Sequence, residues 1–138
     1  MEGEETMNAE RLRLLADHIE KVGAEGRFDM TTYAIVPNDG RGVTVEEIRC
    51  GTVGCIAGHA VLLFGSNEDV VRCVEYDTWY HAAREILDME KEDGMRLFYG
   101  KQWLTKHSMY SMAGDTCSPE EAARELRALA DRGGYYAR

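Results

Sequence analysis

The sequence predicts a mainly helical fold, and three observations carry that reading. Apolar residues recur at three- and four-residue spacings along most of the chain, residues of the Ser, Thr, Asn and Asp type precede those runs, and only two prolines interrupt 138 residues. A chain of this length can bury a core without metals or cross-links, so a single compact domain follows, spanning residues 8–138 behind an acidic tail at residues 1–7. Its centre is expected to be a buried helix at about residues 53–64, beside a small β-hairpin at about residues 33–46.

In chain order, Asn8 can cap a first helix whose Leu12, Leu15, Ile19 and Val22 fall on one face, with Gly23 and Gly26 as its stop. From Phe28 to Arg49 the helical period breaks. Tyr33-Ala34-Ile35-Val36 reads as extended, Pro37 to Gly42 is turn chemistry and Val43-Thr44-Val45 alternates, which together suggest the hairpin. Thr52 is taken as the N-cap of the central helix and Gly65 as its end; the interior between them is apolar and small rather than amphipathic, as in a buried helix.

Ser66 opens a further helical stretch, and Asp77 can cap one carrying Tyr80, Ala83, Ile86 and Leu87. A short helix from about Glu90 to Phe98 precedes Gly100, and residues 99–117 lack a period and read as a loop. Ser118-Pro119-Glu120-Glu121 combines a cap, proline at the first helical position and glutamate three residues after the cap, which starts a last helix running to about Arg132. The near-identical hexapeptides at Leu12 to Asp17 and Leu126 to Asp131 have no period around them and are helix composition, not a repeat.

Charge narrows the function classes. With 25 acidic against 16 basic residues the net charge is −9, and Glu68, Asp69, Asp88, Glu90, Glu92 and Asp93 carry the excess beyond the tail; such a surface repels a phosphate backbone, so generic nucleic-acid binding is not expected. Neither a signal-peptide pattern nor a membrane-length apolar run occurs, which leads to a cytoplasmic expectation without membrane attachment. In a reducing compartment Cys50, Cys55, Cys73 and Cys117 are free thiols, buried hydrophobes or ligands rather than a disulfide framework.

Chemistry concentrates in Cys50-Gly51-Thr52-Val53-Gly54-Cys55-Ile56-Ala57-Gly58-His59-Ala60, which admits three readings. As packing, the cysteines are small hydrophobes and the small residues admit a close neighbour, while the amides at the helix start, with Thr52 and Gly54, could still hold an anion. As catalysis, Cys55 is a nucleophile activated by the helix terminus, with His81 or His107 as base and Asp77, Asp88 or Asp115 to orient it. As a structural zinc site, Cys50, Cys55 and His59 are ligands completed by Cys73, His81, His107 or Cys117, although the close Cys-x2-Cys pair common in such sites is missing.

A second constellation, Arg96, Phe98, Tyr99, Lys101, Trp103, Lys106 and His107, is basic and aromatic in an acidic chain. It reads either as core closure under a loop or as a clasp for an anion or a protein partner, with Arg96, Tyr99, Lys101 and Trp103 as its contacts. The common nucleotide, zinc-protease and hydrolase signatures are absent, which lowers the expectation of an enzyme.

Through Cys50, Gly51, Thr52, Cys55, Ala57, Gly58 and His59 the chain resembles a loose group of small, uncharacterised bacterial and phage proteins with the motif Cys-Gly-Thr-x-x-Cys-x-Ala-Gly followed by His or Trp. Phe28-Asp29-Met30, the stretch Ala82 to Leu87 and Leu97-Phe98 extend the likeness over about residues 28–103. The resemblance implies no known activity; Trp at the place of His59 would argue against a ligand or base role there, and the phage setting implies an accessory or host-interacting role. The reading adopted is therefore a non-enzymatic accessory protein, of phage type, that binds a host protein or a small anionic ligand, without a cofactor or resident metal and with self-association open. A Cys55-dependent enzyme and a zinc-binding domain are the alternatives.

Overall fold

Local capping sets the boundaries of the helices in the computed structural model, which describes residues 8–30, 32–99 and 118–133. Asn8 accepts a hydrogen bond from the Arg11 amide at the start of α1 (Ala9–Ala24). Reciprocal capping boxes open three more helices: Thr44 with Glu47 at α2 (Val45–Gly51), Ser66 with Asp69 at α4 (Asn67–Tyr76), and Ser118 with Glu121 at α7 (Pro119–Arg132). Between them lie α3 (Ile56–Phe64), α5 (Trp79–Ile86) and α6 (Lys91–Tyr99). The mainly helical architecture is thus the one the sequence predicts.

Helix α3 is the buried centre. Every residue from Ile56 to Leu62 is out of solvent, and α1, α2, α4 and α5 all pack against it. The outer wall is a helix pair in which α1 contributes Leu12, Leu15, Ala16, Ile19 and Val22 and α7 contributes Ala122, Ala123, Leu126 and Leu129. Where they approach, a Cβ on Gly23 would run into the Pro119 ring. Gly23 therefore lies inside α1 as a contact point and is not its stop; Glu25 caps the helix, and Gly26 follows with φ at 76°.

The extended segment departs from the expected hairpin. Strand β1 (Ala34–Ile35) falls where one was read, but its antiparallel partner is β2 (Val53–Gly54), with Ala34 opposite Gly54 and Ile35 opposite Val53. The turn at Pro37–Gly40, with Asn38 and Asp39 left-handed at φ 51° and 54°, leads into α2 instead of a returning strand. Three alternating residues at 43–45 are too few to outweigh the Thr44–Glu47 capping box, whose Thr-x-x-Glu pattern is itself visible in the sequence.

Two cap assignments also shift. Thr52 ends α2, its hydroxyl donating to the Ile48 carbonyl at 2.6 Å, and α3 begins after Cys55 rather than after Thr52. Asp77, left-handed at φ 57°, closes α4, and Thr78 precedes α5. Among the described residues no helix is long and apolar enough to cross a membrane.

Candidate functional site

The motif occupies the corner where β2 turns into α3, and close backbone contact dominates it. A Cβ at Gly54 or at Gly58 would fall on the Tyr33 carbonyl oxygen, so the backbone leading into β1 lies directly on these two glycines. Segment 27–29 seals the other edge of β2: the Gly54 amide donates to the Arg27 carbonyl at 3.1 Å, and the Asp29 amide donates back to the Gly54 carbonyl at 2.9 Å. Glycine is needed at 54 and 58 because a backbone, which cannot swing aside like a side chain, occupies the space.

Cys55 stands just before the first turn of α3 and is 4 % exposed. Burial pushes its thiol up to about 11, while the Gly58 and Ala57 amides at the helix start pull the other way without prevailing. The depressed thiol that nucleophilic attack requires is therefore not what this environment produces. His81, read as its base, is exposed on α5 with its ring against Tyr80 at 5.2 Å between centroids. The catalytic pairing thus places the thiol in the core and the imidazole at the surface.

The zinc set separates as well. Cys50 is exposed on α2, and its thiol donates to the Glu46 carboxylate at 3.4 Å, whereas Cys55, just before α3, and His59, within it, are buried. Among the described residues no group of three or more His, Cys, Asp or Glu is arranged to hold a metal ion. Cys73, a possible fourth ligand, is buried in α4 and accepts a weak hydrogen bond from the Thr78 hydroxyl.

His59 is fully buried, and its Nε2 lies 2.7 Å from the Arg27 carbonyl oxygen. A carbonyl only accepts, so Nε2 carries the proton and donates, leaving Nδ1 as an acceptor. That Nδ1 is buried without a hydrogen-bond partner, as is Nε2 of His18 on α1, and the two rings meet edge to face at 5.2 Å and 61°. Desolvation first, then neighbouring positive charge, lowers both imidazoles, His59 to about 4.

Two arginines complete the corner. Arg27 donates to the Arg49 and Thr52 carbonyls at the end of α2 and pairs with Glu25 at 2.8 Å. Arg49 donates to the Leu62 and Gly65 carbonyls at the end of α3 and to the Asn67 side chain. Each guanidinium satisfies carbonyls that a helix terminus leaves unpaired. Sequence reasoning did not single out His18, Arg27, Arg49 or Tyr33. The available signal for His18 was its place three residues after Leu15 and four before Val22, on the border of the apolar face of α1.

The proposed anion contacts do not form an open cradle. Thr52 is buried with its hydroxyl on Ile48, and the amide of buried Gly54 is bonded to Arg27. Of the basic and aromatic constellation, Phe98 is buried against the Tyr80 ring, as its core reading requires, at 5.7 Å between centroids. Arg96 and Tyr99 belong to α6, but their side chains lie outside the described residues, as do Lys101, Trp103, Lys106, His107, Asp115, Cys117 and the tail at 1–7. No protein-family model, curated protein or solved structure matches the chain.

Proposed function

We propose that this protein is a non-enzymatic binding module whose partner is another protein. The observation that carries the reading is the inward use of the motif: Cys55 is a buried thiol pushed up to about 11, and the space beside Gly54 and Gly58 is filled by the Tyr33 backbone just before β1. Groups used in this way support the fold and offer little to a substrate. A small anion is the weaker of the two ligand classes, because the Thr52 hydroxyl and the Gly54 amide are already bonded within the chain.

The exposed face of α4 supports a protein partner. It carries Tyr76 at 70 % exposure and Val71 at 39 %, among Glu68, Arg72 and Glu75. An aromatic surrounded by charge is the kind of anchor that protein interfaces use, and a net charge of −9 favours a partner with a basic surface. The accessory, host-directed role implied by the bacterial and phage company of the motif belongs to this same proposal.

Native-state thiol labelling at neutral pH separates the module from the cysteine enzyme. Cys50, exposed on α2, is expected to react with a maleimide well before Cys55. Rapid and selective modification of Cys55 in the folded protein would overturn the reading. A parallel capture from cells compares the natural chain with a Tyr76→Ala, Val71→Ala double variant of unchanged circular dichroism. Proteins retained by the first and lost by the second are the expected result.

A further inference from the structure

Two imidazoles, from α1 and α3, meet in the interior with one ring nitrogen each buried and unpartnered, His18 Nε2 and His59 Nδ1. The Arg27 carbonyl accepts from both the His59 ring and the Gly54 amide, so one backbone oxygen ties the segment after α1 to α3 and to β2. Protonation strains this arrangement in a specific way. A charged His59 keeps its bond to Arg27 but gains an Nδ1–H that points at no acceptor, and a charged His18 carries an Nε2–H that likewise has none.

The charges around the pair deepen the penalty. Arg27 disfavours the charged form of both rings, Lys21 that of His18 and His18 that of His59; Glu25 favours charged His18 but is already paired with Arg27, and the Arg27 carbonyl favours charged His59 without offsetting its desolvation. Arg27 cannot swing away cheaply, because it is bonded to the Thr52 and Arg49 carbonyls at the end of α2. Cys55, one turn back at the start of α3, stays neutral, its thiol raised first by burial and also by Asp29.

We propose that the His18–His59 pair is an acid-operated latch: with both rings neutral it holds segment 27–29 against β2 and α3, and protonation releases that segment ahead of the rest of the domain. The sign follows from linkage. His59 titrates near 6.5 when unfolded or released and at about 4 when held, so the released form binds more protons. Closure is therefore at full strength above pH 6.5, weakens as pH falls below it, and reaches its limit near pH 4. A separation of that size corresponds to an increase of about 300-fold in the opening constant, at a factor of ten per pKa unit.

Amide exchange, corrected for intrinsic rates, and imidazole NMR on the full chain between pH 7 and pH 4 test the latch. The amides of Asp29 and Gly54, which bridge the segment to β2, are expected to lose protection with falling pH, in step with His59, while the Ala122 amide in α7 stays protected. His59→Gln keeps an N–H for the Arg27 carbonyl but takes up no proton, so its exchange at Asp29 and Gly54 should be flat over the same range. Should that variant not fold, His18→Gln gives the second arm: it removes a like-charged neighbour and one proton-binding ring, so the His59 midpoint should rise towards its ordinary value and the acid-induced loss of protection should shrink. The latch is overturned by an ordinary His59 midpoint with unchanged protection, by simultaneous loss of protection at Ala122, or by variants that open as the natural chain does.

Discussion

The α1–α7 wall and the β1–β2–α3 corner bury their residues by different means. In the wall, leucines at helical spacing interlock across the contact, and the polar groups stay outside: Arg127 reaches Asp17 and Glu20, and Arg13 reaches Asp131, all with solvent-exposed side chains. In the corner the filling is glycine and alanine, and backbone meets backbone. Polar groups lie inside it: Thr52 and His59 are fully buried and held by carbonyls. A wall of leucines absorbs small changes of shape, whereas backbone contact has no slack. The motif that looked like chemistry is therefore first a solution to packing.

The largest effect expected in this comparison comes from one added carbon. Gly58→Ala places a methyl group on the Tyr33 carbonyl, and either the segment leading into β1 or α3 must shift to admit it. Overpacking of this kind costs about 3 kcal/mol, the upper end of the usual range, because the obstructing atom belongs to backbone. Denaturant titration checks it. A loss below about 1 kcal/mol would mean that the corner yields as easily as the wall.

The same contrast explains what could be read before the structure. Asn8, Ser66 and Ser118 were legible because a cap is a contract between residues three apart, which sequence displays directly. The leucine face of α1 and the buried character of α3 were legible from period and composition. The corner was not. Pairing of Ala34 with Gly54 joins residues twenty apart in sequence across an intervening helix, and nothing local marks it. Thr52 looks like the N-cap in the sequence because the residue that actually precedes α3, Cys55, is no ordinary cap and makes no side-chain capping bond. Arg27 and Arg49 resemble surface cations in the sequence, and only the fold reveals that they end two helices. Cys55 and His59 could be picked out as a pair, but their burial, which decides their chemistry, is a property of what packs on them.

A smaller effect is expected at the wall's own starting point. Ser118→Ala removes one half of the capping box and leaves the Glu121 amide without its acceptor, at a cost of about 1 kcal/mol. Circular dichroism during urea unfolding reads this directly, and an unchanged midpoint would show that Pro119 alone suffices to start α7.

The smallest effect belongs to the most conspicuous polar contact of the wall. Arg127 donates to Asp17 at 2.7 Å and to both carboxylate oxygens of Glu20 at 3.0 Å, a geometry that holds the Glu20 carboxyl below its ordinary value and raises the guanidinium further. Yet all three side chains stand in water, where solvent and salt screen the attraction and two long chains must be held still to keep it. Arg127→Ala should therefore shift the unfolding midpoint less than Ser118→Ala does, and the difference from the natural chain should shrink further in molar salt. The two helices remain joined by Leu12, Leu15, Leu126 and Leu129, which the substitution does not touch. A loss exceeding that of Ser118→Ala and insensitive to salt would show that the wall depends on its ion network rather than on its leucines, and the contrast drawn with the corner would fail on the wall's side.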